Sequence, residues 1–506
     1  MKTHFSITAI VLLFSLHAVA APFSFRDTRD ELIYRQLLKE FPVEVKGFDQ
    51  TKEPPEVVAA FSADWAAFIS GKRPLPPKWL EGYSWSRYLN AFLFEGSSAP
   101  LKIMPDDNER LKVKINTTAA HSIEDAAHYS EERVGGEIAK ALQQNKITAS
   151  IYGGTKESVA NALKVDGKQI KYLPSPYDAW GIHKAYIPST ATLDKKARYL
   201  MVIPPSRQYV IHYAAIFNFL NINVENAILN HTDQRRQVER LRLEFQRVAL
   251  QLPAPVDVLA LGYYNVIQEN KDGLKAISPE IPMSDGLTVQ MIEETRIADK
   301  PVRYLIIKSD MAIWGESSSL MVEAAMSLKP RAVVFMGSAG GIRETTRHYD
   351  ISVPSSFQLG DRTIDIKNAA MEGMYAVSGP WRSTVVDVKH GHTNSPIEQT
   401  KAYVEKRVNS QIDSYDVEQN LIAETIAEYN KKAAMPASFI ALNLITDKPS
   451  SYTHDWKSDH DLSRVNKELK ADARRRAVNL ALMSVRSSAT ISKALSTITC
   501  DRALLP

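Results

Sequence analysis

The chain has 506 residues, of which 44% are hydrophobic and 24% charged, an ordinary globular composition. This length predicts two domains, each large enough to bury a full core. The formal net charge of +4 is dispersed, without a basic stripe interleaved with aromatic residues, so nucleic acid is not expected as a partner.

The first residues of the chain predict a cleaved secretory signal peptide at 1–20. Lys2 supplies the positive start, ITAIVLLFSL an apolar stretch, and Ala18-Val19-Ala20 a small-residue cleavage site. The apolar stretch is shorter than the about 20 residues that span a bilayer, and no other stretch is long enough. We therefore expect an exported mature protein, periplasmic or secreted, without a membrane segment. Cys500 is the one cysteine, which rules out an internal disulfide and cysteine-based zinc sites.

Residues 21–252 predict a separate α+β domain of unknown role. A buried strand is expected at 196–205, a helix at 209–222 and an amphipathic helix at 233–252. The arginines of the last helix indicate a solvated outer face. Its side chains expected to face the core are Val238, Leu241, Leu243, Phe245, Val248 and Leu250.

Residues 253–490 alternate strands with helices, and 491–506 form a tail. This alternation predicts an α/β domain with a mixed or mainly parallel sheet. Strands are expected at 256–262, 303–309, 331–337, 348–356 and 437–447, and helices at 318–328, 416–433 and 466–485.

Three groups of residues lie at or near predicted strand ends, where open α/β sheets bind ligands. A loop of small residues at 337–341 follows one strand, Thr446-Asp447-Lys448 ends another, and Asp416-Val417-Glu418 begins the long helix. The loop is neither a phosphate-binding P-loop nor a dinucleotide fingerprint. Its alternative interpretation is a tight turn required for packing.

Two carboxylates in these groups suggest chemistry. Burial at a strand end penalises an ionised carboxyl group and can bring it toward the range useful for acid catalysis, which makes Asp447 a candidate acid. Cleavage of a purine glycosidic bond needs such a proton donor. Glu418, when ionised, can accept two hydrogen bonds from the vicinal hydroxyls of ribose. The alternatives are a turn or capping aspartate before Pro449, and a carboxylate that interacts with the helix dipole.

In this order, VVFMGSAGGI, YDISVP, DVE and ITD resemble the motifs of the nucleoside phosphorylase and nucleosidase superfamily. GGIRET at 340–345 and TDKP at 446–449 are similar to the AMP nucleosidase branch, which also carries an extra N-terminal domain. The resemblance covers 254–490. It implies a three-layer nucleoside phosphorylase-like domain with a mixed central sheet, a purine nucleoside or nucleotide as substrate, no metal or organic cofactor, and a homo-oligomer.

The resemblance also implies roles for matching residues. Asp447 protonates the purine at N7, Thr446 helps to hold the base, and Glu418 accepts from the ribose hydroxyls. Arg343 and Lys448 are candidates for a 5′-phosphate. The implied substrate-binding residues of the strand end and the helix start are Gly337, Ser338, Ala339, Gly340, Asp416, Val417 and Glu418.

Departures from the family pattern bear on the reaction. Phosphorylases of the superfamily have an arginine where this chain has Phe335, so the resemblance implies water as the attacking group and a hydrolase. A phosphorylase and a non-catalytic nucleoside-binding or storage protein remain the alternatives. Tyr349 replaces a glycine of the family pattern. Segment 309–316, which contains Trp314, replaces an early glycine-containing loop of the family. The water-positioning glutamate of smaller nucleosidases has only Asn265 and Glu269 as candidates.

Two further patterns suggest other chemistries. HGH at 390–392 and HDWKSDHD at 454–461 contain metal-ligand types, but solvated loops are the favoured interpretation. WGESSS at 314–319 nearly matches a nucleophile elbow, but Ser319 replaces the second glycine, which disfavours a serine esterase.

Overall fold

A computed structural model describes most of the chain from residue 107 onward. The described residues are 107–113, 126–134, 139, 142–143, 146–172, 182–187, 198–263, 273–284, 286–294, 301–309, 314–343, 345–376, 380–448 and 467–488. The predicted signal peptide, Asn265, Glu269, segment 454–461, Cys500 and the tail lie outside these residues. Within the described part, no helix is both long and apolar enough to cross a bilayer.

The first half of the described chain forms a six-stranded sheet with helices. The strands are β1 (Asn108–Arg110), β2 (Thr148–Gly153), β3 (Lys171–Tyr172), β4 (His183–Ile187), β5 (Arg198–Ile203) and β6 (Val224–Asn230). The helices are α1 (Ala126–Val134), α2 (Lys156–Leu163), α3 (Arg207–Phe219) and α4 (His231–Ala249). The strand order is β1-β6-β2-β5-β4-β3, with β2 parallel to both β5 and β6. The predicted strand and both predicted helices of this region are present as β5, α3 and α4.

Helix α4 buries a narrower apolar stripe than predicted. Leu241 and Phe245 are buried, but Leu243 is 55% exposed and Leu250 is 89% exposed, so the prediction was wrong for these two leucines. A helix brings residues three and four positions apart to one face, and both leucines lie outside that spacing. The stripe of α4 packs into the core of the following sheet.

The second half forms an eleven-stranded sheet. Its strands are β7 (Val258–Leu261), β8 (Leu274–Ala276), β9 (Ile281–Pro282), β10 (Leu287–Glu294), β11 (Val302–Ser309), β12 (Ala332–Gly341), β13 (Ile351–Leu359), β14 (Arg362–Ile364), β15 (Val385–His392), β16 (Ser414–Asp416) and β17 (Ser438–Asp447). Its helices are α5 (Glu316–Ala325), α6 (Ala370–Ala376), α7 (Lys401–Asn409), α8 (Gln419–Asn430) and α9 (Lys467–Ser487).

This second sheet has helices on both faces. Residues of α4, α5 and α8 pack with Val333 on one face, and residues of α6 and α9 pack with Val334 on the other. Successive residues of a strand point to opposite faces, so the two cores enclose the sheet as three layers. Both parallel and antiparallel pairs occur, which confirms the predicted α/β class with a mixed sheet.

Five strands of this sheet close on themselves. β12 pairs with β17, β17 with β13, β13 with β15, β15 with β16, and β16 returns to β12. β12 also pairs with β7 through its first residues. It therefore belongs both to the open sheet and to the closed ring of five strands.

Candidate active site

The residues predicted as a small-residue loop continue a strand. β12 runs from Ala332 to Gly341; its first part pairs with β7, and Gly340 and Gly341 pair with β16. The expectation of a loop at 337–341 was therefore wrong. Glycine-rich composition indicates a turn locally, but here distant strands hold the segment extended.

The small residues of β12 make room for side chains of neighbouring strands. A Cβ at Gly337 would lie 2.8 Å from Asn443 Oδ1, and a Cβ at Gly340 would lie 2.8 Å from Asp447 Oδ2. At Gly340 the ring of Tyr415 would also be 2.9 Å away. Glycine at these two positions is explained by packing within the protein.

Asp447 lies where the sequence predicted, at the end of β17 and directly beside the glycine-rich part of β12. Its backbone register partner is Gly340, and its Oδ2 is the atom that crowds that glycine. Thr446 Oγ1 donates a hydrogen bond to Asp447 Oδ1 at 3.0 Å. Both residues are half-buried, so the carboxyl group combines partial access with one fixed oxygen.

Tyr263 contacts two of the predicted site residues, which the sequence did not indicate. It follows β7, and its hydroxyl donates to the carbonyl oxygen of Gly337 at 2.5 Å and lies 3.0 Å from Oγ of the exposed Ser338. The guanidinium of Arg474, on α9, lies 5.1 Å from the centre of its ring. Burial raises the pKa of Tyr263, so the phenol remains a donor at neutral pH. The signal would have been Gly262-Tyr263 directly after a strand.

Gly262 is required for this arrangement. Its φ of +74° lies in the left-handed region, and a Cβ there would come within 1.8 Å of the carbonyl oxygen of Met336. The turn after β7 thus passes directly over β12, which brings Tyr263 to Ser338.

Asp416 is buried and its oxygens bind protein groups. Oδ1 accepts from the backbone N–H groups of Glu418 and Gln419 at 3.2 and 3.0 Å, and Oδ2 accepts from Asn443 Nδ2 at 3.3 Å. Asp416 thus caps the start of α8. His390 Nε2 lies 3.1 Å from Oδ1. Val417, the next residue, is buried.

The two histidines of the HGH pattern lie in β15 and are buried. His390 is 0% exposed and His392 is 6% exposed, so the expectation of a solvated loop was wrong. His390 Nδ1 lies 2.8 Å from Ser414 Oγ. Burial lowers the pKa of His392 to about 4. Within the described residues, no group of three potential metal-binding side chains occurs.

Glu418 occupies a different environment from Asp447. Its carboxyl Oε1 accepts from the N–H of Gly315 at 3.4 Å, in the segment that carries Trp314. Burial, followed by the charge of Asp416, raises the pKa of Glu418 well above its usual value. Hydrogen bonds from backbone N–H groups, that of Gly315 first among them, oppose this rise.

The two cations predicted for a 5′-phosphate each have a carboxylate neighbour. Arg343 Nε lies 3.5 Å from Asp413 Oδ1, and its guanidinium also donates to the carbonyl oxygen of Asp387 at 3.3 Å. Lys448 directly follows Asp447, is half-buried, and its charge acts on the carboxyl group of Asp350. Their assignment to a phosphate remains a prediction.

Two departures from the family pattern have clear positions. Phe335 is buried in β12, and its ring lies within 2.8 Å of where a Cβ of Gly337 would be. Tyr349 has a φ of +71°, a left-handed conformation that favours glycine. The chain therefore keeps the backbone shape that a glycine would adopt there and carries a tyrosine in it.

No family model and no curated protein matches the chain. Among solved structures, a methylthioadenosine phosphorylase from an antarctic soil metagenomic library is 13% identical, with a TM-score of 0.35, over 47% of this chain and 90% of that one. A 5′-methylthioadenosine/S-adenosylhomocysteine nucleosidase from S. pneumoniae is 12% identical, with a TM-score of 0.34, over 46% and 98%. The purine nucleoside phosphorylase of Schistosoma mansoni, in complex with adenosine, is 11% identical, with a TM-score of 0.33, over 50% and 96%. At such low identities and TM-scores, the likeness assigns no activity to this chain.

Proposed function

We propose that this chain is an exported nucleosidase, similar to AMP nucleosidase, that hydrolyses the N-glycosidic bond of a purine nucleoside or nucleotide. The observation that carries the proposal is the position of the Asp447 carboxyl group. It ends a buried strand, lies against Gly340, and has one oxygen fixed by Thr446. A half-buried carboxyl group at a strand end is suited to donate a proton to a leaving base.

In the proposed reaction the bond between the ribosyl carbon and the purine nitrogen breaks, and its electron pair moves to the base. Asp447 delivers a proton to N7, so the base leaves as a neutral molecule. Water adds to the ribosyl carbon and releases a proton, which restores the acid. The products are the free base and ribose or ribose 5-phosphate.

Glu418 is the proposed acceptor for the ribose hydroxyls. When ionised it can accept from two neighbouring hydroxyls at once. Ser338 is exposed beside the Tyr263 hydroxyl, so these two hydroxyl groups are available to polar atoms of the substrate. The positively charged guanidinium of Arg474 lies over the Tyr263 ring, 5.1 Å from its centre.

Water is favoured over phosphate as the attacking group because of Phe335. This buried aromatic ring offers neither charge nor a donor to a phosphate dianion. A phosphorylase that holds phosphate through other residues is the alternative enzyme. A nucleoside-binding or storage protein is the alternative without catalysis.

The test is the release of base from a panel of purine nucleosides and nucleotides, with and without inorganic phosphate. We expect release without phosphate, and a loss of roughly 100-fold or more in Asp447→Asn, as removal of a general acid typically produces. Asp387→Asn is the matched control, since Asp387 is exposed on β15.

Three outcomes would contradict the proposal. Strict dependence on phosphate would make the chain a phosphorylase. Binding of a purine by both the wild type and Asp447→Asn, without release of base by either, would make it a binding protein. Full activity of Asp447→Asn would exclude Asp447 as the acid.

Export and assembly are also part of the proposal. The signal sequence supports export, and N-terminal sequencing of the mature protein is expected to begin at Ala21. Retention of Lys2 in exported material would contradict cleavage. A homo-oligomer is proposed on the resemblance to the superfamily, and sedimentation measurements would test it.

A further inference from the structure

Helix α3 packs against the first sheet and helix α5 against the second. A side chain at the start of each helix accepts a hydrogen bond from the first turn of the other. The backbone N–H of Arg207, in the first turn of α3, donates to the carboxylate of Glu316. The backbone N–H of Glu316, in the first turn of α5, donates to Oε1 of Gln208 at 3.1 Å. The first N–H groups of a helix lack partners within the helix, so each helix supplies what the other lacks.

Gln208 is the central residue of this contact. It is 3% exposed, and its Nε2 lies 3.4 Å from Nε2 of His392. Burial holds the pKa of His392 at about 4, so the ring is neutral at neutral pH and its Nε2 can accept from the Gln208 amide. The amide oxygen of Gln208 thus contacts α5, and its nitrogen contacts β15.

The body of Gln208 also leaves no room for a side chain at Gly315. A Cβ at Gly315 would lie 2.7 Å from Cβ of Gln208. Gly315 has φ +57° and ψ −134°, a combination that is essentially confined to glycine. The close approach of α3 and the unusual backbone therefore occur at the same residue.

Gly315 in turn contacts the candidate ribose-binding group. Its N–H donates to Oε1 of Glu418 at 3.4 Å, and this bond opposes the rise in the pKa of Glu418 that burial and Asp416 cause. Tyr209, the residue after Gln208, packs against Trp314, which precedes Gly315, with the ring centres 5.3 Å apart and the planes tilted by 46°. Two consecutive residues of α3 thus hold two consecutive residues of this segment.

We propose that Gln208 is a positioning residue for Glu418 and sets the preference of the enzyme for ribose over 2′-deoxyribose. This inference rests on the proposed function. Gln208 holds Glu316 and Gly315, Gly315 donates to Glu418, and Glu418 accepts from the 2′- and 3′-hydroxyls. The first sheet thereby takes part in recognition of the sugar without touching it.

The test compares Gln208→Met, which keeps the length of the side chain without its hydrogen bonds, with the wild type on adenosine and 2′-deoxyadenosine. We expect kcat/KM for adenosine to fall about tenfold, the usual range for a lost bond to a charged group, and kcat/KM for 2′-deoxyadenosine, which offers Glu418 only the 3′-hydroxyl, to fall by a smaller factor. The acid limb of the pH profile for adenosine should move to higher pH, because Glu418 loses a donor. Equal losses on both substrates with an unmoved pH profile would overturn the inference.

The matched control is Asn218→Ala, at the other end of α3. Asn218 Nδ2 donates to the carbonyl oxygen of Val113 at 3.2 Å, so this variant perturbs the helix without affecting its contact with Gly315. We expect it to alter neither the ratio of the two substrates nor the pH profile. A change in the ratio as large as that of Gln208→Met would assign the effect to the helix as a whole and overturn the inference.

A measurement without substrate separates this inference from the proposed function. If Gln208 positions Glu418, the changes in denaturation midpoint caused by Gln208→Met and Glu418→Gln are not additive in the double variant. Additive changes would overturn the positioning role whatever the activity. An absence of base release by the wild type, with non-additive changes, would overturn the proposed function and the sugar preference but keep the coupling.

Discussion

Position 340 requires a glycine because a carboxyl group on another strand lies next to it. Gly340 leaves the space that Asp447 Oδ2 and the Tyr415 ring occupy. From the sequence, a glycine there is equally well explained by a turn. The packing that requires glycine depends on the pairing of β12 with β17. The local sequence does not indicate this pairing, because the two residues are far apart in the chain.

Gly340→Ala is expected to impair both stability and catalysis. The added methyl group must displace the Asp447 carboxyl or the buried Tyr415 ring, and overpacking of this kind typically costs about 1–3 kcal/mol. Denaturant unfolding and release of base would be measured together. Gly167→Ala is the control, because a Cβ there would have its nearest contact at an ordinary 3.5 Å. Unchanged unfolding and activity in Gly340→Ala would contradict the packing that we describe.

Glu418 gives the fold a pH dependence of known sign. Its pKa is raised in the folded state, so the folded protein binds a proton more tightly than the unfolded chain does. Stability from this group is therefore full below its unfolded pKa and is lost as the pH rises toward the folded pKa. The proposed binding of ribose by Glu418 has the opposite requirement, because the acceptor must be ionised.

Glu418→Gln is accordingly expected to remove activity and to raise stability at alkaline pH. The melting temperature of the variant relative to wild type should increase between pH 5 and pH 8, since only the wild type must ionise a buried carboxyl group. Thermal unfolding over this range checks the prediction. A difference that is constant with pH would show that the carboxyl group ionises as easily in the fold as in the unfolded chain.

At the scale of elements, the sequence predicted those whose pattern is complete within themselves. β11, β17, α4 and α9 lie close to their predicted positions because an apolar run or a helical period is a local property. β10 and β15 were not predicted. β15 contains Lys389, His390 and His392, polar residues whose place in a buried strand depends on partners such as Asp416, which the local sequence does not indicate.

The residues of the candidate site also differ in how clearly the local sequence indicates them. Asp447 was identified because it ends a recognisable apolar strand and completes a motif. Tyr263 was missed because an aromatic residue after a strand has no distinctive spacing. Asp416 caps α8, a function that the sequence did not indicate because it depends on the geometry of the helix start.

The two faces of α4 provide a stability test at this scale. Leu241 is 3% exposed and Leu243 is 55% exposed, although the sequence suggested that both face the core. Leu241→Ala is expected to lower the free energy of unfolding by about 2–5 kcal/mol, the usual cost of a buried leucine. Leu243→Ala should change it by less than about 0.5 kcal/mol. Urea unfolding of both variants checks this, and equal losses would contradict the orientation of the helix.

At the scale of the whole molecule, side chains on each side of the predicted boundary at 252/253 pack into the core of the sheet on the other side. The apolar stripe of α4, before the boundary, packs into the core of the second sheet. Trp314 and Ile397, after the boundary, pack with the core of the first. Composition and strand rhythm change near residue 252 and therefore suggested a division there, whereas side-chain packing crosses it. The division into two domains remains a prediction.

The closed ring of five strands also determines when the candidate site can form during folding. β12 reaches its neighbour β17 only after about a hundred intervening residues have been placed, and contacts between such distant segments form slowly. Asp447 and Gly340 lie at that late junction. A nascent or truncated chain that lacks the last strand therefore lacks the carboxyl group that we propose as the proton donor, and we expect no release of base before β17 has paired with β12.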